Sequence, residues 1–403
     1  MQPKIYSIDD HSITADKIDK HAFYVVEKLK QNGYIAYLVG GSVRDLLLGK
    51  KPKDYDISTS AKPEEIKALF RNCILIGKRF RLAHVRFGRK VIEVATFRTG
   101  DTETSDLIVR DNDFGTEEQD VLRRDFTING LFYDPESGTI IDYVGGYPDI
   151  EKRVLRTIGN PEVRFRQDPV RMIRLLKFKA RFDLDIDEKA HDALDICKED
   201  IVKSSQARIF EELLRMLESG SSSAFFKRLS EYGLLSLLMP NLDKHLDSPE
   251  IFHLLDFIDA ETKDVEFSRS LLATCLLFPI FEKELGKKTF EKEPHLGALT
   301  QKANKLIDHI FYPFFHIPRR MRGTMIFILT SQYRFIPLFE KTKRKLRIPK
   351  DPNFDHALDF FKIRCSLNPE FDPIYERWKE ASIKAPPKKR TRKRRRKNAP
   401  VKK

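Results

Sequence analysis

The 403-residue chain contains no apolar run long enough to cross a bilayer, which takes about 20 residues. Its opening residues, MQPKIYSIDDHS, are polar and lack the apolar core of a secretory signal, so the expected location is the cytoplasm, with no transmembrane segment. Cysteine is scarce. Cys73, Cys197, Cys275 and Cys365 are scattered with neither metal-ligand spacing nor a disulfide framework, and they are expected as buried apolar fillers in a reducing compartment. Acid is absent from residues 386–403, PPKKRTRKRRRKNAPVKK, which hold six Lys and five Arg and so carry 11 of the 14 net positive charges. Such a block repels itself and cannot bury a core. Nucleic acid is the favoured partner, since a polyphosphate releases counterions to each bound cation; a solvated or membrane-surface tail and nuclear targeting are other readings of the same composition.

What is present is concentrated in two short motifs, LVGGSVRD (Leu38 to Asp45) and KDYDIS (Lys53 to Ser58). If Asp54 and Asp56 lie on a strand, they alternate with Tyr55 and Ile57, and both carboxylates leave one face. Two hard oxygen ligands at that spacing suit Mg²⁺, which takes the rest of its shell from water and substrate phosphates. Gly40 and Gly41 allow close backbone approach to a phosphate, and Arg44 offers a planar fork to the same group. A lone D-x-D is common on surface strands. Framed by an apolar strand, a glycine pair and a helix, it points to a nucleotidyl transfer site.

Strand-like runs are expected at 35–39, 55–58, 74–77, 82–87 and 91–97, with helices over 14–32 and 63–70, and a second group of strands at 126–133 and 139–142. Past Gly159 and Pro161 the strand signals fade. Helical spacing then recurs at 170–181, 190–198, 209–218, 224–232, 268–277, 299–310 and 321–329, with prolines between or at the ends of such segments. The fold class is therefore α+β, a mixed sheet with helices followed by a helical body and a basic tail.

Further residues suit the same chemistry. Glu93, in VIEVATF, supplies a third strand carboxylate of the kind a two-metal site uses, although a surface glutamate has the same pattern. Arg123, Arg124 and Asp125 precede an apolar strand and suit the triphosphate and sugar of a nucleotide; alone they also fit a surface ion-pair cluster. In RQDPVRMIRLLKF, Asp168 is expected to cap a helix with Pro169 at its first position, and Arg171 and Arg174 share a face suited to reading a base edge. Between these motifs, Lys78, Arg79, Arg81, Arg86, Arg89 and Lys90 interleave with Phe80 and Phe87, a pattern that fits single-stranded nucleic acid and a solvated strand face equally.

In this order, LVGGSVRDLLLGKKPKDYDIST, RNCILIGKRFRLAHVRFG, IEVATFR, RDNDFGTEEQDVLRRDFTINGLFYD, DYVGGYPDI and IGNPEVRFRQDPVRMIRLLKF resemble the class II nucleotidyltransferases, which comprise bacterial poly(A) polymerases and CCA-adding tRNA nucleotidyltransferases. FRLAHVRFG and the arginine-rich tail tilt the resemblance toward the poly(A) branch. Where both branches commonly have Glu-Asp before the neck helix, this chain has Gln167-Asp168. The resemblance implies a polymerase-β-like nucleotidyltransferase head over 1–155, a helical neck binding nucleotide and RNA over 156–215, an RNA-binding helical body over 216–383 and a disordered basic tail over 384–403. It further implies transfer of AMP from ATP to RNA 3′ ends with Mg²⁺ or Mn²⁺, promoting RNA decay. CCA addition to tRNA is the alternative within the family, and RNA binding by an inactive head is the alternative outside it. Implied roles are metal ligation by Asp54 and Asp56, an active-site or ribose-binding acid at Asp125, triphosphate contact by Gly41, Arg44 and Arg124, and nucleotide contact by Asp168, Arg171 and Arg174. Implied partners are ATP and single-stranded RNA 3′ ends, with transient contacts to RNA-decay machinery or a membrane surface through the tail.

Overall fold

The computed structural model describes residues 2–77, 82–100, 113–262, 265–286, 294–337 and 346–384. Lys78, Arg79, Phe80 and Arg81 and residues 385–403 of the basic tail lie outside the described residues, while Lys384, expected in the tail, is the last residue of a helix. The chain divides into two units, Met1–Met216 with Ser221–Pro240, and Leu217–Gly220 with Asn241–Lys403.

In the first unit, α1 (Lys20–Gln31) starts where Asp19 Oδ1 accepts the N–H groups of His21 and Ala22, and it stops ahead of Gly33, whose φ is +84°. The cap at Asp19 shortens the helix expected over 14–32 and leaves Ala15–Lys17 as a separate 3-10 turn. Eight strands, β1 (Lys4–Tyr6), β2 (Ala36–Val39), β3 (Asp56–Thr59), β4 (Cys73–Ile76), β5 (Leu82–Phe87), β6 (Lys90–Thr96), β7 (Leu131–Asp134) and β8 (Thr139–Asp142), form one sheet in the order β1-β8-β7-β2-β3-β6-β5-β4. β3 and β6 pair in parallel; the other described neighbours are antiparallel. Between β2 and β3 lies α2 (Gly41–Leu47), and α3 (Pro63–Leu69) leads from β3 to the β4–β5 hairpin, completing the crossover that a parallel pair requires. α1 packs on β2 and β3 and α3 on β4, β5 and β6.

The strand expected over 126–133 is broken. Phe126 is extended and bridges Thr157, Thr127–Asn129 is a 3-10 turn, and Leu131–Asp134 forms β7; Gly146 packs on the turn so closely that a Cβ there would lie 2.1 Å from the Thr127 carbonyl oxygen. Helices follow as α4 (Glu117–Leu122), α5 (Gly146–Glu151), α6 (Pro161–Gln167), α7 (Val170–Phe182), α8 (Glu188–Cys197), α9 (Gln206–Leu217), α10 (Ser222–Glu231) and α11 (Leu234–Leu238). Strand structure does not end at 160: β9 (Val154–Leu155) pairs in parallel with β10 (Asp185–Ile186).

The described elements of the second unit are helical: α12 (Pro240–Asp243), α13 (Pro249–Glu261), α14 (Arg269–Glu284), α15 (Leu296–Phe311), α16 (Arg319–Phe335), α17 (Phe354–Cys365) and α18 (Asp372–Lys384). Pro279 does not mark a boundary but sits inside α14, between fully buried Phe278 and nearly buried Ile280, where packing outweighs the lost backbone hydrogen bond. All four cysteines are free and buried, as their scattered positions suggested.

Candidate active site

β2 ends at Val39, and the chain turns at Gly40 with φ +67° and ψ −122°, a conformation open to glycine. Space is tight as well, since a Cβ at Gly40 would lie 3.2 Å from Arg124 Nη1 and would press on that guanidinium. Val39 is paired with Asp56 on β3, and Asp56 with Glu93 on β6. Pairing register alone therefore brings the glycine turn, the aspartate and the glutamate together on adjacent strands.

Asp54 precedes β3 rather than lying within it. It is exposed, as are Asp56 and Glu93, whereas Tyr55 between the aspartates is buried with its hydroxyl donating to the Lys17 carbonyl. Desolvation by the surrounding protein, together with the charges of Glu93 and Asp54, pushes the Asp56 carboxyl up to about 6 despite the opposing pull of Arg124. Glu93 Oε1 lies 3.3 Å from His84 Nε2 on β5. Among the described residues no three His, Cys, Asp or Glu side chains form a ready-made metal cluster. The repulsion at Asp56 is what a divalent cation would relieve, and Asp54 and Asp56 are the oxygen donors that would hold a hard cation such as Mg²⁺. The residues fit such an ion.

The raised Asp56 value has a measurable consequence. A carboxyl whose folded value exceeds its unfolded value binds more protons in the folded state, so metal-free stability falls as pH rises from about 4 through about 6. Asp56→Asn removes the unfavourable charge. Its thermal midpoint in chelator at pH 7 should exceed that of the unsubstituted protein, and the gap should close near pH 4. Equal midpoints at pH 7 would show that desolvation and the neighbouring acids do not raise the Asp56 carboxyl in the folded protein.

The arginines are distributed unevenly. Arg124 Nη2 donates to Asp120 Oδ2 at 2.7 Å and to Ser58 Oγ at 3.3 Å, which holds its guanidinium beside the glycine turn. Asp120 is fully buried; burial raises its pKa, but Arg124 and Arg123 outweigh that and hold it below the usual carboxylate range. Arg44 is not directed outward. It is buried, gives Nε and Nη2 to Asp45 and Nη1 to Asn129, and lies 4.7 and 4.6 Å from the Phe178 and Phe182 rings. Asp125 accepts from the Phe126 N–H and the Asn129 amide and faces Arg174 Nη1 at 3.3 Å. Burial opposes its ionisation, yet Arg174 and these donors keep it below the usual range.

Asp168 does not cap α7. Pro169 occupies that position, and the Asp168 carboxylate instead accepts from Arg208 Nη2 at 2.7 Å, while its Oδ1 is buried with no partner among the described residues. Arg171 and Arg174 do not form a common reading face either. Arg171 is buried and donates to the carbonyls of Arg164 and Arg123, whereas Arg174 is partly open and bridges Asp125 to Glu212. Asp120, Asn129, Arg164 and Glu212 were not legible as site residues. Asp120 had a local signal in its (i, i+3) and (i, i+4) spacing to Arg123 and Arg124.

A glycine turn, strand carboxylates and an eight-stranded mixed sheet define a nucleotidyltransferase head, and the comparisons place it more narrowly. Residues 36–156 match the poly A polymerase head domain, 183–246 the probable RNA and SrmB-binding site of polymerase A, and 291–403 the polymerase A arginine-rich C-terminus. The chain is 35% identical to poly(A) polymerase I of Salmonella typhimurium over 94% of its own length and 86% of that protein, and 35% identical to the Haemophilus influenzae enzyme over 88% and 82%. The CCA-adding enzyme of Lactobacillus helveticus is 39% identical over 50% of this chain and 52% of its own. Among solved structures, the Bacillus stearothermophilus CCA-adding enzyme in complex with CTP aligns with a TM-score of 0.61 and 26% identity, covering 90% of this chain and 82% of that one. The chain belongs to the family of poly(A) polymerases and CCA-adding enzymes.

Proposed function

We propose that this protein is a template-independent polynucleotide adenylyltransferase of the cytoplasm, acting in RNA polyadenylation and decay. The observation that carries the reading is the register that aligns the Gly40 turn with Asp56 and Glu93. Similarity to poly(A) polymerase I over nearly the whole chain, against half of it for the Lactobacillus CCA-adding enzyme, supports adenylyl transfer over CCA addition.

In the reaction the RNA 3′ hydroxyl attacks the α-phosphorus of ATP; the new P–O bond forms, the bond to the β-phosphate breaks, and pyrophosphate leaves. Asp54 and Asp56 would hold Mg²⁺, or Mn²⁺ in the same oxygen set, with Glu93 as the third acid. When bound, the ion supplies Lewis-acid stabilisation of charge on the reacting oxygens. The turn at Gly40 and Gly41 and the first N–H groups of α2 receive the triphosphate, and Arg124 adds a cation held in place by Asp120. Asp125, fixed by Asn129 and Arg174, accepts a ribose hydroxyl, and the buried, unpartnered Oδ1 of Asp168 has the acceptor capacity that the adenine amino group would fill. Arg44 and Arg171 serve as positioning residues, the first tying α2 to Asn129 and α7, the second tying α7 to the end of α4. In this reading residues 1–155 are the catalytic head, 156–215 the neck, 216–383 an RNA-binding body and 384–403 an RNA-gathering tail.

Product analysis with mixed nucleoside triphosphates tests the assignment. Unstructured RNA and a tRNA lacking its 3′ end should both acquire long A tracts. CTP incorporation followed by AMP and a stop, confined to the tRNA, would replace adenylation with CCA addition. Tight RNA binding without incorporation in Mg²⁺ or Mn²⁺ would leave a binding protein.

A further inference from the structure

The sheet that carries the acids has two unlike faces. Toward α1 and α3 point Ala83, Val85, Ile92 and Val94, all buried. Phe87 and Lys90 also belong to this covered side: Phe87 stacks on His21 with ring centroids 4.2 Å apart, and Lys90 pairs with Asp19 at the start of α1. Those two residues of the basic and aromatic segment are therefore spent on packing.

The opposite face is continuous with the site. Register places Asp56, Glu93, His84 and Ile74 side by side on β3, β6, β5 and β4, and side chains so paired leave the sheet on the same side. With strands about 4.8 Å apart, His84 lies about 10 Å from Asp56 and Ile74 about 14 Å. Beyond Glu93 this face changes from acidic to apolar and basic. Ile74 and Ile76 are 47% and 45% exposed, an uncommon state for isoleucine on an edge strand, where an apolar row invites pairing or needs a cover. At its margin a recess of about 350 Å³ is lined by Arg71, Asn72, Cys73, Ile74, Arg86 and Gly88. Arg71 and Arg86 are exposed, and neither has an acidic partner among the described residues.

We propose that this face, running from Glu93 across His84 to Ile74 and the Arg71–Arg86 recess, seats the single-stranded 3′ end of the RNA acceptor. The inference rests on the adenylyltransferase reading and assigns the acceptor's path within it. Continuity with Asp56 identifies the occupant, because the attacking hydroxyl must reach the carboxylates while the nucleotides behind it extend away from them. Apolar side chains offer the bases a surface. The recess offers two guanidiniums to a backbone phosphate, at the distance from the acids where an acceptor's phosphates no longer meet carboxylate repulsion. His84, 3.3 Å from Glu93, stands where the acidic patch gives way to this path.

The test uses the full-length protein and a short oligoadenylate acceptor. Arg86→Glu and Ile74→Asp should each raise the KM for that acceptor about tenfold, with the KM for ATP moving far less. Arg86→Lys should recover most of the loss, which a merely structural defect would not allow. Independently, an oligoadenylate ending in a photoreactive base should crosslink to Leu82–Phe87 or Cys73–Ile76. Unchanged acceptor KM in both variants, or crosslinks confined to the helices of the second unit, would overturn the proposal and leave the face to another partner. Failure of the unsubstituted protein to transfer any nucleotide would count against the adenylyltransferase reading, and the crosslink would then decide the acceptor path by itself.

Discussion

Replacing Asp54 or Asp56 with alanine is expected to reduce nucleotide transfer by about three orders of magnitude or more while the protein stays folded. Both carboxylates are exposed at the end of β2–β3–β6, so truncation opens no cavity, and at Asp56 it removes a charge that its neighbours disfavour. The same environment predicts a pH signature. Mg²⁺ must displace the proton on Asp56, so at subsaturating metal the apparent Mg²⁺ affinity should fall below about pH 6, by up to about tenfold per pH unit, and level off above it. Glu93→Gln should weaken this dependence, because the Glu93 charge is the largest electrostatic contribution that raises Asp56. Steady-state transfer assays across pH and Mg²⁺ concentration, run beside thermal midpoints, separate lost chemistry from lost fold. Activity above a few per cent in either alanine variant would remove the metal assignment.

The contrast between these aspartates and the arginines shows how much of the site was legible beforehand. Gly40, Gly41 and Asp56 follow from local rules, a strand running into a turn that only glycine enters easily and then the start of the next strand, whereas Asp54 stands just ahead of that strand; all lie within about twenty residues. The α+β class was legible for the same reason, through periodicity in the head and in many of the helices. Arg44 looked like a phosphate ligand because it follows the glycine turn, but its amide partner, Asn129, is 85 residues away and its ring partners are on α7. Arg171 looked like a base reader because helical spacing put it near Arg174, and its carbonyl partner on Arg123 lies 48 residues upstream. Long-range pairing of a long, flexible cation leaves no trace in the residues beside it. The helices α13, α17 and α18 escaped notice for a related reason: their apolar positions are set by packing against one another and against neighbouring helices rather than by a clean stripe.

Arg164 is the residue on which this arrangement most depends, and Arg164→Met is expected to destabilise the first unit by roughly 3 kcal/mol or more. Its side chain is 1% exposed, and Nη2 donates to the carbonyls of Leu122, Arg123 and Arg124 at 3.4, 2.8 and 2.6 Å, while Nη1 donates to Gln167. Carbonyls at a helix C-terminus have no intrahelical donor and carry the negative end of the helix dipole, so a buried cation there satisfies both needs. Methionine keeps much of the volume but leaves those oxygens buried without the charge. The damage should not stop at stability, because the same carbonyls belong to the segment that carries Arg124 and Asp125, the proposed nucleotide contacts. Arg171 reinforces the joint through the Arg123 carbonyl and the Arg164 carbonyl. Arg166, two residues along the same helix, provides the control: its side chain is 44% exposed and pairs with Glu162 at 3.4 Å, so Arg166→Met should cost about 0–1 kcal/mol. Denaturant unfolding of both variants, with the KM for ATP measured on the folded fraction, tests the pair. If Arg164→Met unfolds at the same denaturant concentration as Arg166→Met and binds ATP normally, water has replaced the guanidinium, and the neck does not hold the nucleotide-binding segment in the way its hydrogen bonds indicate.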